Sequence, residues 1–400
     1  MDTTGLDIAI ARRPRGRRLR VGVVLDGFVG RRTEGRIELA NGGVGVYAGH
    51  LIDQIAALDA ADLVLIRPGP IDLPLLQDRR FEVASDPLLR RVPAARWLDL
   101  RLAAIARERA LDLLHYPNQF GGAFLTRRVP RVMTLHDLTP LAFPRFHPWW
   151  TVLGYRMLLA PALRRADAVI VDSEAVAAEL IGVAPEVADR VHAIPLGVDD
   201  SFRPGRRTAG FLERLGLPER FVLTVGVLEP RKNHVAAVRA LAHLHAAGER
   251  VALVIAGRTG WGFEDPLATP DLESLRPWVQ IRRDVPHADL VELYGRALAL
   301  VYPSFGEGFG LPVLEAMACG CPVITSDRSA LPEVGGNAAL YASPDDPAAI
   351  AGQLLRVIRD PGLASVLGER GSSRAGELTW GRTAERTLAV YEAVARLASG

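Results

Sequence analysis

The sequence predicts an α/β protein made of two doubly wound, parallel-sheet domains that face each other across a cleft. Three observations carry that expectation. Short β-branched runs alternate with helix-period segments along the whole chain, which is the pattern of parallel sheets covered by helices. The series starts afresh at Phe221, after P-L-G-V-D-D-S-F-R-P-G-R-R, a turn-rich and charged stretch that reads as a linker. Finally, 400 residues that are 49% hydrophobic suffice for two ordinary cores.

Residues 1–18 are expected to be a flexible basic tail. Arg12, Arg13, Arg15, Arg17, Arg18 and Arg20 lie ahead of or within the start of the first apolar run, L-R-V-G-V-V-L, and no apolar segment precedes them. The pattern is not that of a signal peptide. The first domain, 19–200, has strand candidates at Leu19–Leu25, Leu63–Ile66, Leu113–Tyr116, Arg131–Leu135, Ala168–Val171 and Val191–Ile194. A linker at 201–218 leads to the second domain, 219–378. Its strand candidates are Phe221–Val225, Val251–Ile255, Val279–Ile281, Ala299–Tyr302 and Pro322–Thr325. The last segment, 379–400, is a long amphipathic helix that is free to cross back onto the first domain. Ligands of such sheets bind beyond the carboxyl ends of the strands.

Charge and cysteine content exclude several classes. A net charge of +2 argues against a nucleic-acid binder, whose affinity rests on a concentrated basic surface. No run of about 18 apolar residues is present to span a membrane, although the arginine tail could touch an anionic lipid surface peripherally. Cys319 and Cys321, in C-x-C, form neither a disulfide framework nor a zinc site, which fits a reducing cytoplasmic setting. H-E-x-x-H and G-x-S-x-G are absent, so neither a metal nor a serine nucleophile is expected.

The most informative stretch is S-F-G-E-G-F-G-L-P-V-L-E, Ser304 to Glu315. Pro312 suits a first helical position and Gly320 the position just past a helix end, so a helix is expected over 312–319. Its free N–H groups, at Phe309, Gly310 and Leu311, suit phosphate or hydroxyl oxygen. Glu315 would lie one turn inside, while Glu307 would lie in the loop with Gly308. A second motif follows the Phe221 strand: G-V-L-E-P-R-K-N-H brings Gly226, Arg231 and Lys232 to the same rim. Of the 48 basic residues, Lys232 is the one lysine. A compact ammonium with rotatable donors reaches phosphate in a way that a planar guanidinium does not; chance survival in an arginine-biased surface is the alternative, and the place beside Arg231 at a strand-to-helix turn favours the functional reading.

In the first half, N-G-G-V-G-V-Y opens a helix at Gly42, Gly43 and Gly45 and with Ala48 fits G-x-G-x-x-A. The long polar segment before it departs from the dinucleotide fingerprint. Either close approach of backbone to a ligand or a plain helix start accounts for it. His136 and Asp137 end the strand R-V-M-T-L and so point toward the cleft. His115, in L-H-Y-P-N, ends another strand and is a candidate to line the acceptor side.

Taken together, G-G-V-G-V-Y, T-L-H-D-L, D-S-E, P-L-G-V-D, G-V-L-E-P-R-K-N, A-G-R-T-G-W and F-G-E-G-F-G-L-P-V-L-E-A-M-A-C-G-C-P-V-I resemble the retaining glycosyltransferases of family 4, over about residues 19 to 395. The resemblance implies a GT-B fold of two Rossmann-like domains. It implies a nucleotide-sugar donor, a glycan or lipid-linked acceptor, and no separate cofactor. Arg231 and Lys232 would clamp the diphosphate, Glu315 the ribose, and Glu307 with the backbone of Phe309 and Gly310 the donor sugar. His136 and the Gly43 turn would approach from the first domain. The E-P-R-K-N, H-D-L-T-P and G-R-T-G-W versions are most similar to bacterial mannosyltransferases using GDP-mannose in surface polysaccharide synthesis. One departure is V-Q-I-R-R-D-V-P, which puts Arg283 where the family often has glycine, in a segment that commonly meets the base. Competing readings are a GT-B epimerase or phosphorylase and a sugar-nucleotide-binding protein without turnover.

Overall fold

The computed structural model describes residues 18–25, 29–33, 36–40, 42–68, 81–86, 95–118, 129–205 and 207–398. The arginine tail up to Arg17 lies outside the described residues. The first domain contains strands β1 (Leu19–Val24), β2 (Val29–Thr33), β3 (Arg36–Ala40), β4 (Ala61–Pro68), β5 (Phe81–Asp86), β6 (Leu113–Tyr116), β7 (Arg131–Leu135), β8 (Ala168–Val171) and β9 (Val191–Ala193). Seven of them form one sheet in the order β5-β4-β1-β6-β7-β8-β9, with parallel neighbours throughout. β2 and β3 pair only with each other, antiparallel.

The second sheet uses β10 (Phe221–Val225), β11 (Ala252–Ala256), β12 (Val279–Arg282), β13 (Leu300–Tyr302), β14 (Val323–Ser326) and β15 (Ala339–Ala342). All neighbours are parallel, in the order β12-β11-β10-β13-β14-β15. Parallel sheets are covered on both faces, so their strands are continuous apolar runs rather than alternating ones. F-V-L-T-V in β10 and A-L-V-I-A in β11 are buried at every position. From β10 the chain steps to one side through β11 and β12, then jumps across to β13. The carboxyl ends of β10 and β13 therefore flank the point where strand order reverses, and both glutamate and lysine motifs sit in the loops there.

Four strands escape the sequence reading. β5 is an edge strand, β15 has four residues, and V-G-R-R-T and R-I-E-L-A in β2 and β3 carry too few apolar positions to stand out. The helix at the glutamate motif runs Leu311–Ala318, one residue earlier than 312–319, with Pro312 in its first turn and Gly320 in the left-handed region at φ +71°.

Two chain crossings join the domains. The outgoing and returning segments are tied together where Val198 N–H donates to the Leu378 carbonyl at 3.1 Å. Thr379 then caps the Trp380–Leu397 helix by accepting from Arg382 N–H. That helix packs on the first domain: Thr383 Oγ1 donates to the Pro195 carbonyl at 2.8 Å and Arg386 to the Ala193 carbonyl at 2.8 Å. One core cluster joins Val21, Tyr47 and Leu51 to Tyr391 and Val394, and continues through Phe202 into Tyr294, Val313 and Met317 of the second domain.

Candidate active site

The loops after β10 and β13 close on each other through a knot of buried charge. Arg231 lies in a short 3-10 turn, Pro230–Lys232, which Asn233 ends in the left-handed region at φ +56°. Its guanidinium donates to Glu307 Oε2 at 2.9 Å, to the Gly306 carbonyl at 2.6 Å and to Glu229 at 2.7 Å. Lys232 Nζ donates to Glu307 Oε1 at 2.6 Å and to Tyr302 Oη at 2.8 Å, and Tyr302 Oη also donates to Glu307 Oε1 at 2.9 Å. Glu307 is 7% exposed. Burial alone would raise its pKa, but Arg231 and Lys232 outweigh burial and hold it at about 2. Burial, set against the pull of Glu307, brings Lys232 below its ordinary value. Ser304, fully buried, ties the loops together through the Arg231 carbonyl at 3.2 Å.

Two glycines of the loop have distinct reasons. Gly310 caps the Leu311–Ala318 helix at φ +119°, a conformation that side chains rarely adopt. Gly308 lies against the first domain: a Cβ there would meet the His136 carbonyl oxygen at 1.7 Å. Among the described residues no group accepts from the N–H of Gly308, Phe309, Gly310 or Leu311. These donors form the positive end of the helix, as expected from the sequence. Glu315, inside the helix, accepts from Tyr294 Oη at 2.8 Å. Burial pushes its pKa up to about 7, with Tyr294 opposing and Asp199 adding to the rise.

The first domain meets this loop directly. Ser173 Oγ donates to the Gly308 carbonyl at 2.8 Å, and Glu333 accepts from the N–H groups of Glu174 and Ala175, across the seam, at 3.0 and 3.1 Å. Phe146 stacks on Phe305 at 5.1 Å. His136 reaches the loop through its carbonyl. Its ring is held by Asp172 Oδ2 at 2.7 Å from Nδ1 and by the Pro117 carbonyl at 3.2 Å from Nε2. Burial works against the charged ring, but Asp172 outweighs it and raises the pKa of His136 above its ordinary value. Asp137 accepts from Thr139 N–H and Oγ1 at 3.0 and 2.7 Å, and its charge acts on Arg231 across the seam.

His115 is a correction to the sequence reading. It is fully buried, with Nε2 at 2.8 Å from Thr134 Oγ1 and Nδ1 at 2.6 Å from Tyr391 Oη, so it lines no cleft. Burial pushes its pKa down to about 3. Strand alternation turns it toward the Trp380–Leu397 helix. Gly226 sits beneath the aliphatic arm of Lys232 at φ +144°, and Gly43 stands exposed at the start of the Gly42–Leu58 helix. Its neighbour Gly42 approaches Arg258 of the second domain. Arg283 is exposed just past β12, with Nε donating to Thr259 Oγ1 at 3.1 Å. Sequence reasoning missed Tyr302 and Tyr294. Tyr302 ends β13, a position from which it could have been found.

The two facing parallel-sheet domains have the GT-B architecture of glycosyltransferases. Solved structures with this fold include Anabaena Alr3699/HepE in complex with UDP and glucose, with a TM-score of 0.71 at 19% identity over 92% of this chain and 98% of that one. A glycosyltransferase from Rickettsia africae has a TM-score of 0.69 at 17% identity, over 94% and 98%. The family model for group 1 glycosyl transferases matches residues 212–374, and that for glycosyltransferase family 4 matches 41–202. Similar proteins include the O-antigen chain mannosyltransferase B of Escherichia coli, 30% identical over 88% of this chain and 96% of the relative. A D-inositol 3-phosphate glycosyltransferase of Streptomyces bingchenggensis is 28% identical over 88% and 84%. The chain belongs to glycosyltransferase family 4, and it is a glycosyltransferase.

Proposed function

We propose that the protein transfers mannose from GDP-mannose, with retention of anomeric configuration, to a glycan or lipid-linked acceptor in surface polysaccharide synthesis. The observation that carries this reading is the Arg231–Lys232–Glu307 knot at the strand switch point, beside a helix N-terminus with free amides. The choice of mannose is supported by likeness to the O-antigen mannosyltransferase and to a serotype-specific mannosyltransferase of Escherichia coli.

In the proposed reaction a nucleoside diphosphate sugar exchanges partners with the knot. Its phosphate oxygens take the donors of Arg231 and Lys232, which releases the Glu307 oxygens to the hydroxyls of the sugar. The amides at Phe309 and Gly310 face the same charge. Two cations and a helix N-terminus stabilise the negative charge that grows on the leaving diphosphate. Glu315 receives the ribose hydroxyls. The acceptor attacks from the side of the leaving phosphate, which assists removal of the acceptor proton. His136, held by Asp172 behind the loop, fixes the backbone that meets Gly308.

Calorimetric titration with GDP-mannose and UDP-glucose tests the donor, and release of nucleoside diphosphate tests turnover. GDP-mannose should bind more tightly, with GDP released only when an acceptor is present. Lys232→Ala should lower kcat/KM by roughly 100-fold to 1000-fold, the range for losing one preorganised donor, with the fold retained by circular dichroism. Equal binding of UDP-glucose overturns the donor, and full activity of the Lys232 variant overturns the site.

A further inference from the structure

The Trp149–Arg165 helix presents an apolar surface on both sides. Tyr155, Leu159, Ala162 and Leu163 are buried in a cluster with Met133 and Leu135 of β7 and Val169 and Val171 of β8, and Val152 is buried as well. The opposite side is what a soluble surface ordinarily avoids. Trp149 is 70% exposed, Trp150 58%, Leu153 45% and Met157 62%. At 3.6 residues per turn these four fall in one arc of roughly 120°, together with Arg156 and Arg164. Arg156, Arg164 and Arg145 just before the helix are all exposed. Between Asp137 and Asp167 the chain contains no aspartate or glutamate.

Contiguous exposed apolar side chains mark an interaction surface. The composition of this one chooses the partner. Tryptophan concentrates at the head-group level of a bilayer, arginine pairs with lipid phosphate, and the lack of carboxylates removes repulsion from an anionic leaflet. An amphipathic helix with these residues lies in the plane of the interface. We infer that this helix docks the protein on an anionic bilayer surface. Trp149, Trp150, Leu153 and Met157 enter the head-group boundary, and Arg145, Arg156 and Arg164 meet lipid phosphates.

The helix adjoins the seam between the domains through its buried side and the segment before it. Phe146, just before the helix, stacks on Phe305, and Tyr155 Oη donates to the Asp137 carbonyl at 3.4 Å. The inference does not depend on the identity of the donor.

Co-sedimentation of the full chain with vesicles tests it, using phosphatidylcholine alone and phosphatidylcholine with phosphatidylglycerol. Wild-type protein should bind the anionic vesicles and show a blue shift of tryptophan emission. Trp149→Ser with Trp150→Ser, and separately Leu153→Gln with Met157→Gln, should weaken that binding by roughly tenfold or more, because partitioning scales with the apolar area inserted. Arg156→Gln with Arg164→Gln should weaken it on anionic vesicles by a similar factor. Unchanged far-ultraviolet circular dichroism and unfolding midpoint keep these results readable. The inference is overturned if wild type stays in the supernatant or if the tryptophan variant binds undiminished. It is also overturned if sedimentation velocity without lipid shows a dimer that the tryptophan variant dissociates, since the face is then covered by a second copy.

Discussion

Glu307 and Glu315 belong to one loop and helix, with seven residues between them, yet the protein treats their protons in opposite ways. Glu307 faces two cations and a phenol and is held at about 2; Glu315 faces one phenol in a buried setting and is pushed up to about 7. The first is the centre of an ion-pair network, and the second is an acceptor with no cation paired to it among the described residues. Residue type does not separate them. Their distance from the lysine turn does, since that turn and Glu307 flank the same strand reversal while Glu315 lies a further helical turn away.

The two contributions to stability therefore run in opposite directions with pH. A carboxylate depressed from 4.5 to about 2 stabilises the fold fully above 4.5 and loses that contribution as pH falls through 2. One raised to about 7 stabilises through its protonated form, so its contribution is present below 4.5 and lost as pH rises through 7.

The contrast can be broken most severely at Glu307. Glu307→Ala leaves Arg231 and Lys232 buried without their shared carboxylate and should destabilise the protein by about 3–5 kcal/mol, the range for one partner removed from a buried pair. Denaturant unfolding reads this, and transfer should be lost as well. A variant as stable as wild type would remove Glu307 from the centre of the network. Glu315→Ala should cost less stability than Glu307→Ala, because no buried cation loses its partner, and should raise the donor Kd by roughly 10-fold to 100-fold, as one charged hydrogen-bonding site is removed. Wild-type donor affinity should fall as pH drops below about 7, and Glu315→Gln should flatten that dependence in calorimetry. The same Glu315→Gln variant should be more stable than wild type at pH 8 by about 1–3 kcal/mol and equal to it at pH 4, because a neutral side chain avoids the buried charge. Tyr294→Phe has the smallest expected effect. Without its donor to the carboxylate, the affinity midpoint should move up by roughly one pH unit or less, and a downward move would reverse the role given to Tyr294.

Much of the fold was legible because parallel strands buried on both faces announce themselves as unbroken apolar runs. β10 and β11 are such runs, whereas the β2–β3 ribbon and edge strand β5 lack the signal. At the site, the lone lysine and the paired glutamates were visible as residue types at a spacing. Their meeting was not, because it arises from strand order. Contacts across the seam left still less trace. Glu333 satisfies the first amides of a helix more than 150 positions earlier in the chain, and Gly306 leaves room for Phe143. Neither has a local pattern. His115 shows the opposite error: a polar residue at a strand end suggested the cleft, but alternation aimed it into the core.

The Tyr391 hydroxyl that meets His115 belongs to a helix that follows the second domain in the chain. In chain order the second domain, through Glu377, is complete before the helix that fills one face of the first domain's sheet. The usual amino-terminal-first order of maturation is then inverted. A released chain truncated after Thr379 should display a protease-resistant second domain next to a first domain that is still digested.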